Sequence, residues 1–275
     1  MLKDYLANGQ QVLAPGVFDG LSARIAQQAG FEVLYISGFC VAGTLLGKPD
    51  VGLVTATEMI ERAQQIVSSA PGAVIIADGD NGHGGVHNVA RLVKAYETAG
   101  VNCIQLEDQV IPKKCGHMEN KEVVALAEAV LKIEAARNAR KTDEFLIMAR
   151  TDARATHDLD EALRRGEAFL NAGADILFIE APSSVAEMQK IAECFPNTPL
   201  VANLVEGGKT PELSMSELKD MGYQIVLRPV SAVLSISAML QKSYGSLKEN
   251  GTLGKDATHL SFNEYNEMIG LQDYR

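Results

Sequence analysis

Along the chain, short apolar runs alternate with longer segments whose apolar residues recur at helical spacing. Four runs begin at a small-residue turn: AGFEVLYISG (29–38), AGVNCIQLED (99–108), AGADILFIEA (172–181) and MGYQIVLRPV (221–230). Each follows an amphipathic segment. A glycine ending a helix accepts the left-handed backbone without steric cost, and the run after it reads as a strand buried on both faces. Four further runs fit between them: QVLAPG (11–16), AVIIADGD (73–80), EFLIMARTDA (144–153) and PLVANL (199–204). The intervening segments predict helices over 19–29, 55–69, 85–98, 120–140, 159–171, 184–194, 214–220 and 231–243. Eight strands alternating with helices predict an α/β fold, a closed (β/α)8 barrel of the TIM type. An open doubly wound sheet is the alternative, but no GxGxxG sits between the first strand and the first helix.

Residues 1–243 therefore read as one catalytic barrel, and 244–275 as an extension. Within the extension, SFNEYNEMIGLQ (261–272) predicts a further helix. Its Phe262, Tyr265, Met268, Ile269 and Leu271 point either to contact between subunits or to a cap on the same chain.

Composition narrows the classes. The chain has 275 residues, 47% hydrophobic and 22% charged, enough apolar mass for a large core. A net charge of −10 argues against nucleic acid or an anionic membrane as partner. No apolar run reaches the roughly 18 residues of a membrane span. The N-terminal MLKDYLANGQQ is too polar for a signal peptide. Cys40, Cys103, Cys115 and Cys194 form no CxxC, which fits reduced thiols in a cytoplasmic protein.

In such barrels chemistry lies at the carboxyl ends of the strands. Those ends carry Ser37, Asp78 with Asp80, Glu107 with Asp108, Arg150 with Asp152, Glu180, Asn203 and Arg228. Converging carboxylates repel and need a cation. That cation is either a hard divalent ion, for which Mg²⁺ is the best fit, or the guanidinium groups of Arg150 and Arg228. After the fourth strand, EDQVIPKKCGHMENK (107–121) sets Lys113, Lys114, Cys115 and His117 on a loop with Pro112 and Gly116. Gly and Pro predict a turned or moving loop over the barrel mouth, and neighbouring cations favour a thiolate at Cys115. Cys40, Cys103 and Cys194 lack such surroundings and read as structural. His83 either reaches the site or caps a helix.

With these residues in hand, the chain resembles the isocitrate lyase / phosphoenolpyruvate mutase superfamily. The resemblance rests on YISG (35–38), LGKPDVG (46–52), DGDNGHG (78–84), KKCGH (113–117), ARTDA (149–153), IEAP (179–182), VANLVEGGKTP (201–211) and RPVSA (228–232). It implies a Mg²⁺- or Mn²⁺-dependent barrel, commonly a homotetramer of dimers that exchange the C-terminal helix. It implies metal-site carboxylates at Asp78 and Asp80, with Asp50 and Glu107 holding metal-bound waters. Tyr35, Ser37 and Gly38 would bind an α-keto acid portion beside Arg150. Glu180, Asn203 and Arg228 would complete the polar contacts. Cys115 would be the catalytic acid of the lyase branch, on a gating loop with Lys113 and His117.

The implied reaction cleaves a 2-hydroxy di- or tricarboxylate to pyruvate and a carboxylic acid. Met118 stands where methylisocitrate lyases often carry Arg, and VEGG (205–208) where they show a Thr-Glu-Phe-Gly type run. Both changes favour a smaller, more apolar substrate of the 2,3-dimethylmalate kind over 2-methylisocitrate. Pro229 stands where oxaloacetate-hydrolysing relatives tend to have Ser, which counts against that activity. Two alternatives from other classes stay open: a phosphonate-processing enzyme, which would leave Cys115 without a role, and a barrel that binds a keto acid without turnover, against which the complete set of strand-end residues argues.

Overall fold

A computed structural model describes residues 1–116, 118–254 and 257–274. The eight strands are β1 (Val12–Val17), β2 (Val33–Ile36), β3 (Val74–Asp78), β4 (Cys103–Glu107), β5 (Leu146–Thr151), β6 (Ile176–Ile179), β7 (Leu200–Asn203) and β8 (Tyr223–Arg228). All neighbours pair in parallel and β8 returns to β1, closing the barrel. Seven strands fall within the apolar runs and β1 passes the end of its run by one residue, Val17, as expected of strands buried between a packed interior and a ring of helices.

The helices are α1 (Leu2–Ala7), α2 (Gly20–Gln28), α3 (Gly38–Val41), α4 (Ala56–Ser69), α5 (Val86–Ala99), α6 (Leu126–Ala139), α7 (Ala153–Thr156), α8 (Leu159–Ala172), α9 (Val185–Cys194), α10 (Met215–Met221), α11 (Ser231–Asn250) and α12 (Phe262–Met268). The turns before β4, β6 and β8 use Gly100, Gly173 and Gly222 as left-handed helix caps, at φ 93°, 104° and 102°. The short α1 was not anticipated. Its Leu2 is fully buried, and Tyr5 and Leu6 pack on the interior cluster, so α1 plugs the end of the barrel opposite the strand tips.

Side-chain alternation decides what faces the interior. Val33 and Tyr35, Val74 and Ile76, Leu146 and Met148, Ile176 and Phe178, and Ile225 and Leu227 belong to one interior cluster. Continuing the period of two places Ser37, Asp78, Arg150 and Glu180 inward at the mouth. The same rule turns Arg228, next after the interior Leu227, away from it.

Two boundaries move. The helix expected from 120 begins at Leu126. Residues before it fold back as a flap, where Val110 N donates to Glu122 O (3.1 Å), Val124 N to Asp108 O (2.9 Å), and Gln109 bridges Val123. The helix expected over 231–243 continues as α11 to Asn250, through the 243/244 boundary. The predicted tail helix is α12, and its Met268 carbonyl accepts from Arg24 Nε and Gln28 Nε2 of α2 (both 2.9 Å).

The barrel closes tightly where β1 passes the segment after β8. A Cβ placed on Gly16 would overlap the Pro229 carbonyl. Gly16→Ala is therefore expected to lower stability by about 1–3 kcal/mol, the usual cost of overpacking against unyielding backbone. Urea unfolding measures this, and an unchanged midpoint would mean that the strand ends spread freely.

Candidate active site

The strand tips and the flap enclose a cavity of about 300 Å³. Its polar wall includes Tyr35, Ser37, Asp50, Asp78, Glu107, Lys113, Arg150, Glu180 and Asn203. Cys115 and Gly116 from the flap also line it. Its apolar lining comes from Phe39, Met118, Val205, Val230 and Leu234.

Among the described residues, six buried carboxylates meet three buried cations at this mouth. The carboxylates are Asp50, Asp78, Asp80, Glu107, Asp152 and Glu180, and the cations are Lys113, Lys121 and Arg150. Arg150 is held on three of the acids. Its Nε and Nη2 reach Asp152 at 2.9 and 3.1 Å, Nη1 lies 3.4 Å from Glu107 Oε2, and Nη2 3.2 Å from Glu180 Oε2. The guanidinium also stacks over Phe178, 5.2 Å from the ring centre. Burial disfavours its charge, but Asp152, Glu107 and Glu180 more than offset this and push its pKa well up. Asn203 Nδ2 donates to Glu180 at 3.1 Å, completing that carboxylate's setting.

Lys113 serves the other acids. Its Nζ lies 2.7 Å from Asp50 Oδ1 and 2.5 Å from Asp80 Oδ1. Burial pushes Asp80 up, but Lys113 and His83 prevail and hold its carboxyl below the usual range. Asp78 is less well served. It accepts from Gly38 N (3.3 Å), Asp80 N (3.0 Å) and Gln105 Nε2 (3.2 Å), and among the described residues no cation pairs with it directly. Burial and the Asp80 charge push its pKa up to about 6. Burial likewise raises Glu107 well above its ordinary value, against the pull of Arg150 and Lys113. Glu107 Oε1 is buried without a hydrogen-bond partner. Asp80 adopts φ 47°, a left-handed backbone for a non-glycine residue of the kind concentrated at functional sites.

Tyr35, Ser37 and Gly38 surround this cluster from β2. Tyr35 Oη donates to Gln105 Oε1 (3.0 Å) across the interior, and Ser37 caps α3. His83 reaches the edge of the site, with Nε2 3.7 Å from Asp80 Oδ2. His117 lies outside the described residues.

Two expectations need correction. Arg228 does not join the cluster: it pairs with Glu212 instead, because its place in the β8 alternation turns it outward. The lysines beside Cys115 are also engaged elsewhere, Lys113 with the acids and Lys114 Nζ with the Asn120 carbonyl (2.5 Å). Sequence reasoning also passed over Gln105, Gln109 and Lys121. Gln105 had a visible signal, a polar residue inside a buried strand. Gln109 clamps the flap through Lys114, accepting from its N–H (3.0 Å) and donating to its carbonyl (2.8 Å). Lys121 sits in a polar run, MENKE, that reads as solvated surface.

The model of the family described as phosphoenolpyruvate phosphomutase matches residues 2–247. The chain belongs to that family. Members resembling it include 2,3-dimethylmalate lyase of Eubacterium barkeri, 45% identical over 275 residues, covering 100% of this chain and 94% of the relative. The 2-methylisocitrate lyase of Bacillus subtilis (strain 168) is 38% identical over 262 residues, covering 94% and 85%. Among solved structures, a 2,3-dimethylmalate lyase described as a PEP mutase/isocitrate lyase superfamily member superposes with a TM-score of 0.95. It is 36% identical, over 99% of this chain and 91% of that one. These three relatives are named as lyases, and the family match spans nearly the whole chain.

Removing the central cation should expose the energetics of the site. Arg150→Met is expected to lose about 3–5 kcal/mol near pH 8, because buried carboxylates are left unpaired. The loss should shrink near pH 5.5. Without Arg150 the Glu107 pKa rises further above its unfolded value, so protonation relieves the strain as pH falls. Denaturant unfolding at the two pH values measures this, and a loss independent of pH would contradict it.

Proposed function

We propose that this protein is a divalent-metal-dependent carbon–carbon lyase that cleaves a small 2-alkylmalate, with 2,3-dimethylmalate to pyruvate and propionate as the best match. The observation that carries the reading is the cavity itself. It is lined by Cys115, Arg150, Glu180 and Asn203 together with the apolar side chains of Phe39, Met118, Val205, Val230 and Leu234. A substrate with two carboxylates and two methyl groups suits this lining, whereas a third carboxylate would meet Met118 and Val205 and be left unpaired, at a cost of about 1–3 kcal/mol or more. Full-length similarity to a 2,3-dimethylmalate lyase supports the same choice.

The acid cluster fits a hard divalent cation. Six carboxylates exceed three cations, Asp78 is pushed up to about 6, and Glu107 Oε1 has no partner. Among the described residues, no three potential metal ligands stand together as a ready set. Mg²⁺ does not require such a set, because it keeps several waters and takes few carboxylates directly. Asp78 and Asp80 would hold it, with Asp50 and Glu107 on its waters. When bound, such an ion supplies Lewis-acid polarisation of a 2-hydroxy acid.

The chain's own residues do the rest. Tyr35, Ser37 and the Gly38 N–H orient the pyruvate-forming half, and Arg150 neutralises its carboxylate. As a base takes the C2 hydroxyl proton, C2–O becomes a carbonyl and the C2–C3 electron pair moves onto the leaving fragment as an enolate. Arg150 and the Asn203 amide face the developing charge. Cys115 then delivers its thiol proton to the enolate carbon. The flap keeps water out during that transfer. The extension beyond 243 serves contact between subunits in this reading, through exposed Phe262, Tyr265 and Leu271.

The direct test is Mg²⁺-dependent pyruvate release from 2,3-dimethylmalate, run beside 2-methylisocitrate. Dimethylmalate should react faster. Preference for methylisocitrate would overturn the reading of Met118 and Val205, and silence with both would overturn the lyase assignment. Cys115→Ser should lower kcat by about 10²–10⁴-fold, the usual worth of a positioned acid, and full activity would sink that role.

Metal dependence should follow the Asp78 proton. Its folded pKa, about 6, lies above the ordinary 3.8. In metal-free protein the stability tied to this group is therefore present below about pH 4 and is lost as pH rises through about 6. A bound cation favours the ionised form. The rise in Tm on adding Mg²⁺ should be larger near pH 8 than near pH 5.5, and equal gains would contradict the assignment of Asp78.

A further inference from the structure

The flap is fastened on both sides of Cys115. On one side Lys113 reaches Asp50 and Asp80, at 2.7 and 2.5 Å. On the other, Lys121 folds back beneath the tip. Its side chain is only 1% exposed, and its Nζ donates to the Gly116 carbonyl and to Asp152 Oδ1 (2.5 Å). Asp152 is the carboxylate that grips Arg150 through two hydrogen bonds. One ammonium thus ties the peptide just after Cys115 to the acid that orients the guanidinium. The fit is close: a Cβ at Gly116 would strike both Arg150 Nη2 and Glu180 Oε2. A glycine here lets the flap backbone rest directly on the Arg150–Glu180 pair.

We propose that Lys121 is a positioning residue, a latch that holds the flap shut over the cavity and sets Cys115 against Arg150 and Glu180. A buried ammonium must keep its acceptors, because a desolvated charge short of a partner is costly. Lys121 and Gly116 both belong to the flap, whereas Asp152 is fixed on the barrel, so the ammonium keeps both acceptors only when the flap is down. The charge-assisted bond to Asp152 therefore favours the closed flap, and the bond to the Gly116 peptide carries that hold to the residue next to Cys115. Closure and the aim of Arg150 become one event, since both depend on Asp152. Lys121 touches neither the reacting atoms nor the metal-site acids. Its catalytic consequence rests on the reading of Cys115 as acid, while the latch itself does not.

The test follows the accessibility of Cys115 rather than turnover. Cys40 and Cys103 are buried and Cys194 is exposed, so a Cys194→Ala background leaves Cys115 as the reactive thiol to follow. Alkylation of Cys115 by iodoacetamide is timed by peptide mass spectrometry, with Mg²⁺ and oxalate, a planar dianion shaped like a pyruvate enolate. Lys121→Met, which keeps the aliphatic stem, should speed alkylation roughly tenfold, the loss of one charge-assisted bond from the closed state. In the lyase assay the same change should lower kcat about 100-fold with little change in KM, the signature of a misplaced reacting group.

Parental alkylation in Lys121→Met would overturn the latch, even if Cys115→Ser is inactive. Faster alkylation with an active Cys115→Ser would instead keep the latch and refute Cys115 as the acid. Should Lys121→Met fail to fold, Lys121→Gln retains a neutral donor and is read in the same assay at smaller amplitude. Unchanged alkylation in that variant overturns the proposal equally.

Discussion

Negative charge buried at the open end of the barrel is the constraint around which the rest of the structure is arranged. Carboxylates removed from water are stable only beside cations or donors. Here Arg150 takes Asp152, Glu107 and Glu180, and Lys113 takes Asp50 and Asp80. Among the described residues Asp78 has backbone and amide donors alone, and burial with the Asp80 charge pushes its pKa up to about 6. The surplus of acid over base is therefore concentrated at Asp78 and Glu107, on neighbouring strands β3 and β4. A site built this way has an intrinsic demand for one more cation.

The barrel supplies the rigidity that such a cluster needs. Interior side chains from alternating strand positions form a packed layer beneath the acids, with Tyr35, Ile76, Met148 and Phe178 among them. Arg150 rests on Phe178, and Tyr35 and Gln105 bond to each other just below Asp78. Charges that repel are thus held by groups that cannot move without opening the core. Outside the mouth, Asp108 points away from the cavity and pairs with Arg165 of α8 at 3.0 Å, securing the base of the flap from the helix side.

The flap complements this fixed frame. It carries Cys115 and is secured to acids that belong to the barrel through Lys113 and Lys121, while the Gln109 amide braces it internally against the Lys114 backbone. Chemistry that generates an enolate needs water excluded at one moment and product released at another. Attachment by a few discrete polar bonds, rather than by a large apolar face, gives a loop able to do both.

The order and limits of the eight strands were legible in the sequence, because strands buried on both faces must be apolar and their helices must end in residues such as Gly100, Gly173 and Gly222. The chemistry at the tips was legible for a related reason: Asp78, Glu107, Arg150 and Glu180 follow apolar runs directly, where a folded barrel has no structural use for charge. Direction and partnership were decided only in three dimensions. Arg228 also ends a strand, yet a single step in the alternation turns it to Glu212 and out of the site. Lys113 stands beside Cys115 in the chain but spends its charge on Asp50 and Asp80, which lie 63 and 33 positions away. Lys121 and α1 gave no warning, since a lysine in a polar run and a short polar-looking helix resemble solvated surface until the barrel buries them. Local pattern records which residues are kept from water along each strand. Which charge meets which depends on the closure of the sheet and the path of one loop, and those are properties of the assembled chain.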